Sequence, residues 1–246
     1  MLSLVRRNYQ LRYRQSMVGF AWAIIPSLVT VGAATLVFHK VARIDTGSTP
    51  YPLFAFAAIA PWTFFTNSLN LGTMSVIQAQ SMITRLPFPR EALPLAVCGT
   101  SLLDLAISIL TFVGFAYVTG AGLPLTAAWL PVLLLIEIVL TVGVVLFVSA
   151  LNVFVRDIRL AVPFLAQLWL FVTPVMYPLS SVPAGLRPWY RANPMTGLVE
   201  SFRDVLIYGK VPDFGLLLPT IVGAIAAAII GAWYFSATES RFADVV

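Results

Sequence analysis

The stretch TAAWLPVLLLIEIVLTVGVVLFVSALNV, residues 126–153, decides the fold class of this chain. Its only charged residue is Glu137, and Val, Leu and Ile dominate the rest. An α-helix rises about 1.5 Å per residue, so roughly 20 apolar residues cross a hydrocarbon layer of ~30 Å. The stretch is therefore predicted to cross a membrane as one helix.

The same criterion predicts five more spans on either side of this stretch. Asp104 interrupts the third span, and Pro163, Pro174 and Pro178 interrupt the fifth. The chain is thus predicted to be an all-α integral membrane protein with six transmembrane helices. The other five spans are predicted near residues 20–38, 51–74, 92–118, 160–177 and 214–237.

The composition supports a membrane protein and excludes several kinds of chemistry. Hydrophobic residues make up 59% of the chain and charged residues only 10%, whereas soluble domains carry about 25% charged residues. The net charge of +5 comes from basic residues in short segments between apolar runs, which suits membrane topology better than a nucleic-acid groove. With one cysteine, Cys98, and one histidine, His39, we expect no intrachain disulfide and no metal site.

The basic residues also predict an orientation. Lys and Arg concentrate in the cytoplasmic segments of membrane proteins. An orientation with both chain ends inside places most of the 15 Lys and Arg residues on the cytoplasmic side. Arg203 falls in a segment that this orientation places outside.

The opening stretch RRNYQLRYRQSMVGFAW, residues 6–22, precedes the first span. Its tyrosines fall on the apolar side of a helical wheel, two of its four arginines fall near the other side, and two lie at the margins of the apolar side. This pattern is typical of a helix lying at the membrane interface over residues 1–18. A plain positive flank of the first span is the alternative. A cleavable signal fits less well, because the apolar run is too long and lacks a small-residue cleavage site. The candidate interface residues are Arg6, Arg7, Tyr9, Arg12, Tyr13 and Arg14.

Six local patterns occur in order near the predicted span boundaries. Together they resemble the membrane subunit of ABC-type polysaccharide and polyol-phosphate exporters, which move lipid-linked O antigen, capsule, teichoic acid or galactan. The resemblance covers nearly the whole chain. The patterns are GFAWAIIP (19–26), PWTFFTNSL (61–69), LPFPREALP (86–94), LNVFVRDI (151–158), FVTPVMYP (171–178) and NPM (193–195).

This resemblance implies one ABC transporter transmembrane domain over residues 1–246, in the bacterial cytoplasmic (inner) membrane with both termini in the cytoplasm. It implies an interface helix, a cytoplasmic coupling helix and short re-entrant gate helices before the last span. It also implies a homodimer with the pathway between the copies. The sequence has no GxxxxGK[ST] phosphate loop, so we expect no enzyme activity and no cofactor in this chain. ATP and Mg are expected to bind two copies of a partner ATPase.

The coupling region is predicted at residues 75–91, where apolar residues leave the second span and would need a partner surface. A helix lying on the bilayer is the alternative there. The LNVFVRDI loop is a second candidate contact with the ATPase, or simply an anchor for two helix ends. The candidate coupling residues are Met82, Ile83, Arg85, Leu86, Phe88, Arg90, Glu91, Arg156 and Asp157.

The gate region is predicted at residues 179–213, since prolines exclude a continuous helix. A surface cap is the alternative. Aromatic side chains could line a conduit for sugar rings, or could simply be packing residues. The gate candidates are Pro174, Pro178, Trp189 and Tyr190, and the pathway candidates are Trp22, Trp62, Phe65, Trp169, Phe171 and Tyr177.

Asp104 and Glu137 lie near the middle of their spans, where a charged group facing lipid is costly. We expect both to face protein or a water-filled cavity, as structural carboxyls or as a proton relay. The rival functions are a permease for another exported lipid or small molecule, a proton-coupled carrier and a membrane-embedded enzyme. The sequence does not specify the glycan.

Overall fold

The computed structural model describes residues 24–44, 46–47, 49–83 and 88–242, and every regular element in these ranges is helical. Eight main helices are numbered in chain order. They are α1 (Ile25–Ala34), α2 (Tyr51–Gln78), α3 (Ala92–Val118), α4 (Leu130–Phe154), α5 (Ile158–Val172), α6 (Arg187–Ala192), α7 (Pro194–Arg203) and α8 (Phe214–Thr238).

Short irregular helices extend or connect these elements. α1 continues as a π-helix, Thr35–Val41, and α7 continues as a π-helix, Asp204–Tyr208. A single helical turn, Gln80–Ile83, follows α2. Short 3₁₀ helices lie before α4, after α5 and after α8, at Leu125–Trp129, Leu179–Ser181 and Glu239–Arg241.

Among the described residues, three segments are long and apolar enough to cross a membrane: Ala92–Val118, Leu125–Phe154 and Phe214–Arg241. Two shorter apolar helices, Ile25–Val41 and Ile158–Val172, overlap the first and fifth predicted spans. α2 has 28 residues but carries more polar side chains. A multi-pass helical membrane protein is confirmed, and the count of six spans stays a prediction.

The fifth helix ends earlier than predicted. The sequence suggests a span that reaches about Tyr177, but α5 ends at Val172. Thr173 adopts an extended conformation, with φ −111° and ψ 133°, because a proline disfavours helical geometry in the residue before it. Pro174 therefore ends the helix.

α2 lies at the centre of the bundle. Residues 53–62 are buried without a gap, so this part of the helix is apolar around its whole circumference, as expected for a helix enclosed by others. It packs against α1, α3, α4, α5 and α7. The phenylalanines Phe54, Phe56 and Phe65 supply much of this core.

α4 and α8 form the most extensive helix pair. Gly143 of α4 lies against the backbone of Ala227 in α8, and Gly231 of α8 lies against the backbone of Gly143. A methyl group at either glycine would collide with main-chain atoms. Small residues therefore let these two helices approach closely, which favours association inside lipid, where apolar side chains gain little from contacting each other.

A second apolar cluster lies where α2 ends and α3 begins. It joins side chains from α2, α3, α4 and α8 with Phe242, and Phe88 packs partly against it. Phe235 and Phe242 meet edge to face at 5.3 Å between ring centres. The Arg90 Nη1 donates a hydrogen bond to the Glu239 carbonyl oxygen. The start of α3 is thereby tied to the end of α8.

Candidate functional site

The four residues after α5, Thr173–Met176, run past α2 and α7 without forming a helix. We call residues 173–176 the carbonyl strap, because side chains from other helices bind three consecutive carbonyl oxygens in it. Arg203 at the end of α7 binds those of Pro174 and Val175. The Tyr51 hydroxyl at the start of α2 donates to that of Met176 at 2.8 Å.

Arg203 is fully buried, with no exposed surface. Its Nη1 donates to the Pro174 carbonyl oxygen at 2.7 Å, and its Nη2 donates to that of Val175 at 2.6 Å. Its Nε donates to the Phe54 carbonyl oxygen at 3.3 Å. Charge-assisted bonds of this kind are stronger than those between neutral groups.

Two further contacts stabilise the positive charge of Arg203. The Glu200 carboxylate accepts a hydrogen bond from Nη1 at 2.8 Å, one helical turn earlier. The guanidinium carbon lies 3.6 Å from the centre of the Phe54 ring, a cation–π arrangement. Burial lowers the pKa of Arg203, and the charge of Glu200 opposes this shift.

Asp204 follows Arg203, and burial disfavours its charged form as well, which shifts its pKa in the opposite direction. Burial, together with repulsion from Glu200, raises the pKa of the Asp204 carboxyl to about 6. Lys210 and a hydrogen bond from the Asp213 backbone act in the other direction. The stretch from Glu200 to Asp213 thus combines one deeply buried cation with a carboxyl that titrates near neutral pH.

Asn193 connects α5 to α7. Its Oδ1 accepts hydrogen bonds from the Trp169 indole Nε1 and from the Met195 backbone N–H, each at 3.1 Å. The second bond caps the N-terminus of α7, where backbone donors lack helical partners. Its Nδ2 donates to the Thr173 Oγ1 at 2.9 Å. The start of α7 and the start of the carbonyl strap therefore share one side chain.

Three of the predicted pathway aromatics form one cluster. Trp169 meets Phe65 edge to face at 5.2 Å and Trp62 at 6.4 Å between ring centres. Phe65 is fully buried and Trp62 nearly so. These contacts agree with packing residues in the single chain, and the pathway role of the three stays a prediction.

The other pathway candidates lie apart from this cluster. The Tyr177 hydroxyl donates to the Phe171 carbonyl oxygen at 2.6 Å and lies 3.0 Å from the Tyr190 hydroxyl. The Phe171 ring itself is 61% exposed. Trp22 lies outside the described residues. The structure thus joins Tyr177 with the gate candidate Tyr190 and leaves Phe171 on the surface.

The gate region consists of short helices, as the sequence predicts. α6 has 6 residues and α7 has 10. Trp189 on α6 is 77% exposed, Pro174 is buried in the carbonyl strap, and Pro178 is half-buried. Whether these helices enter the membrane from one side stays a prediction.

The described coupling candidates lie between α2 and α3, near the second apolar cluster, or on the loop between α4 and α5. Met82 and Phe88 are half-buried, while Glu91 is exposed. Phe88 packs partly against the protein, so less of its ring is free for a partner than the sequence suggests. Arg156 and Asp157 are exposed between two helices, and their contact with an ATPase stays a prediction.

Several predicted residues fall where the structure gives no description. Arg85 and Leu86 lie outside the described residues, and so does the side chain of Ile83. The whole interface helix, residues 1–18, also lies outside them. Its six candidates, Arg6, Arg7, Tyr9, Arg12, Tyr13 and Arg14, stay predictions.

Comparison with known protein families identifies the family to which this chain belongs. The family model described as ABC-2 type transporter matches residues 1–207. The chain belongs to the ABC-2 type transporter family. Members of this family are membrane components of ABC transporters, and the sequence-based resemblance to ABC exporters is confirmed.

Relatives of this ABC-2 transporter align along at least four fifths of their length. It is 28% identical to the O-antigen export system permease protein RfbA of Myxococcus xanthus, over 100% of this chain and 95% of the relative. It is 25% identical to an RfbA of Klebsiella pneumoniae, over 99% and 93%. It is 23% identical to the polysialic acid transport protein KpsM of Escherichia coli, over 86% and 82%.

The two acids inside the spans of this ABC-2 transporter are enclosed by protein, as predicted. Glu137 has no exposed surface, and neither of its carboxyl oxygens has a hydrogen-bond partner among the described residues. Asp104 lines a cavity of about 30 Å³ between α1, α2 and α3, and the polar side chains Ser27, Thr63 and Ser101 also line it. A cavity of this size and polarity can hold a water molecule.

Sequence reasoning missed Arg203 and Asn193 as organising residues of the transporter. Arg203 counts in the sequence only as an outer-segment cation, and Asn193 only as part of NPM. A signal was present for Arg203: it follows Val199 by four residues and so falls on the same helix face, while Val199 and Phe202 are both buried. Nothing in the sequence shows that the segment after α5 would supply the carbonyls that Arg203 binds.

Proposed function

We propose that this chain is the permease subunit of an ATP-driven exporter that moves lipid-linked polysaccharide across the bacterial cytoplasmic membrane. Family membership supports the transport role. The observation that carries the substrate class is the alignment with permeases of O-antigen export over essentially the whole length of both chains. A relative of polysialic acid transport points to the same class of cargo.

The proposed assembly is a homodimer with two copies of a separate ABC ATPase. One chain has too few long helices to enclose a path wide enough for a glycan, so the path would lie between two copies on their two-fold axis. ATP and Mg would bind only to the ATPase chains, because this sequence lacks a phosphate loop. Closure of the ATPases would then drive the permease.

In this proposal both termini lie in the cytoplasm, and the turn around Phe88 contacts the ATPase. Arg85 would face acidic groups of that partner, and so would Arg90, whose Nη1 also binds the Glu239 carbonyl oxygen. The interface helix at residues 1–18 would rest on the cytoplasmic leaflet. At the opposite end, the gate region would close the exit. The half-buried Phe88 and exposed Glu91 beside the second apolar cluster support a surface that a partner could complete.

The aromatic cluster is proposed to border the exit path. Sugar rings present apolar C–H faces that pack on aromatic rings, whereas their hydroxyls exchange hydrogen bonds easily. Trp169 suits this position, because one edge of its ring contacts Phe65 while its indole N–H is bound by Asn193. A glycan would then slide along fixed rings without a deep binding site.

The first experiment tests the partner. The chain is co-expressed with the ABC ATPase encoded beside its gene, and a tag on the chain is used for purification. We expect the ATPase to co-elute at equal stoichiometry, and its loss from the complex when Arg85 and Arg90 are both changed to Glu. Arg191→Glu, at an exposed arginine of α6 in the gate region, is the control and should leave the ATPase bound.

The second experiment tests the cargo. Deleting the gene in its source bacterium should remove the surface polysaccharide and leave glycan-loaded lipid inside the cell, and a plasmid copy should restore export. If the surface polysaccharide is unchanged while a proton-driven flux of another solute is lost, the proton-coupled carrier would be favoured. If another lipid accumulates inside, the chain would be a permease for that lipid.

A further inference from the structure

Arg203 is positioned to control the carbonyl strap, because it binds two of the strap carbonyl oxygens, while Tyr51 and Asn193 each bind one other strap residue. Pro174 has no backbone N–H and its neighbour Thr173 is extended, so the backbone cannot continue the hydrogen bonding of α5. The described hydrogen bonds to the carbonyl oxygens of Pro174, Val175 and Met176 all come from side chains of α7 and α2. The position of the strap therefore depends on how α7 sits against α2.

A purely structural role would not require an arginine here. Removing a guanidinium from water is costly, and a buried ion pair often adds no net stability over well-packed apolar residues. A guanidinium does provide something that an apolar side chain cannot. Its planar fork binds two carbonyls at once, so it favours a single arrangement of the strap over neighbouring ones.

The contacts of Arg203 extend to both sides of the gate region. Through its Nε and its position over the ring of Phe54 it is attached to α2. Through its Nη atoms it is attached to the strap that joins α5 to the gate. A rotation of α7 relative to α2 would break several of these bonds together. Such an all-or-none change is what a two-position gate needs.

We propose that Arg203 is the positioning residue that holds the exit gate closed, by fixing the carbonyl strap against α2 in the resting transporter. This inference rests on the proposed function, because it takes the gate region as the exit for the exported polymer. Glu200 assists as the counter-charge that lets the guanidinium stay buried. Opening requires the strap carbonyls to exchange Arg203 for water or for the passing polymer.

The test uses cysteine labelling in the full chain reconstituted in lipid nanodiscs, where both faces meet solvent. Val175 is fully buried in the strap, so Val175→Cys in a Cys98→Ala background reports opening of the strap. In a second protein, which keeps Val175, the native Cys98 buried in α3 reports general loosening of the fold. Each reporter is combined with Arg203→Met and with Arg203→Lys, and labelling by a water-soluble maleimide is timed.

The expected result is local opening. Arg203→Met should raise the labelling rate of Val175→Cys about tenfold or more while Cys98 labelling stays unchanged, because charge-assisted bonds to two carbonyls are lost. Arg203→Lys should give a smaller increase, since an ammonium cannot bind both carbonyls in the same geometry. Arg191→Met is the matched control. Arg191 is an exposed arginine on α6, and its loss should leave both rates unchanged.

Two results would overturn the inference. One is an unchanged labelling rate at Val175→Cys in both Arg203 variants. The other is a parallel increase at Val175→Cys and Cys98 in both variants, which would make Arg203 a general fold-stabilising residue. The labelling needs neither ATPase nor glycan, so it stays informative even if the proposed export function is wrong. Glycan export in cells is measured separately for Arg203→Lys, and normal export with an opened strap would also overturn the gate role.

Discussion

The Arg203 guanidinium lies 3.6 Å above the centre of the Phe54 ring, and the same guanidinium donates to the Phe54 carbonyl oxygen. Phe54 of the central helix thus contacts Arg203 through both its ring and its backbone. Among the described arginines, only Arg203 has no solvent exposure. Because the backbone bond survives side-chain substitution, the contribution of the ring can be measured by itself. This relationship gives the first prediction.

A double-mutant cycle between Phe54→Leu and Arg203→Met should show a coupling energy of about 1–2 kcal/mol, the range for a desolvated cation–π contact. Stability is measured by SDS titration of the purified chain. Phe56→Leu is the control, because Phe56 is equally buried but packs edge to face with Phe112. Its effect should add to that of Arg203→Met. Equal coupling for both phenylalanines would show that the ring contact contributes nothing specific.

Close packing of α4 and α8 predicts that Gly143→Ala destabilises the chain. The added methyl would meet the backbone of Ala227 and Ala228, and overpacking typically costs about 1–3 kcal/mol. Gly114→Ala in α3 is the same substitution with open space around it. It should be neutral or stabilising by up to about 1 kcal/mol, since alanine favours the helix. SDS titration of the two variants checks this. A Gly143→Ala chain as stable as wild type would contradict the close approach.

The raised pKa of Asp204 predicts that the stability difference between wild type and Asp204→Asn depends on pH. Its pKa is raised from 3.8 to about 6, by burial and by Glu200. The folded chain therefore retains a proton that the unfolded chain releases, so its contribution to stability is complete below about pH 4 and is lost as the pH rises through about 6. Asp204→Asn should be more stable than wild type at pH 8, with little difference at pH 4. Thermal unfolding at the two pH values tests this, and a difference that grows toward low pH would reverse the sign and refute it.

The two acids in the spans should respond in opposite ways to apolar substitution. Glu137 is fully buried and its carboxyl oxygens have no partner among the described residues, so Glu137→Met should stabilise the chain by about 1–2 kcal/mol. Asp104 lines a cavity together with other polar side chains, so Asp104→Leu should destabilise the chain. SDS titration compares the two, and Glu137→Gln serves as the polar control. A strong loss of stability in Glu137→Met would mean that the carboxyl is bound, for example by water. Loss of export with normal stability would give Glu137 a transport role.

The helices whose bounds follow from the length of a local apolar run were predictable from the sequence. The third span was predicted at residues 92–118, and α3 occupies the same residues. The last span was predicted to begin at residue 214, where α8 begins. In both cases the signals are a long uncharged run and clear breaks at its ends, such as Gly120 and Gly122, which adopt positive φ in the predicted turn.

The features that depend on tertiary contacts were not predictable in the same way. The sequence assigns Arg203 to an outer segment, because counting charges assumes that each cation faces water. Its burial requires Glu200, the Phe54 ring and the strap carbonyls together, and the carbonyls come from residues almost thirty positions earlier in the chain. The early end of α5 was locally encoded by Pro174, which the sequence analysis names as an interruption of the fifth span, although the span was predicted to continue to about Tyr177.

The most direct test of the account is the sidedness of its two ends in intact cells. Glu91→Cys, on the exposed surface beside Phe88, and Trp189→Cys, on the exposed gate helix, are each placed in a Cys98→Ala background. A membrane-impermeant maleimide is added before and after lysis. With both termini in the cytoplasm, Trp189→Cys should be labelled in intact cells and Glu91→Cys only after lysis. Labelling of Glu91→Cys in intact cells would place the proposed ATPase contact outside and contradict the account.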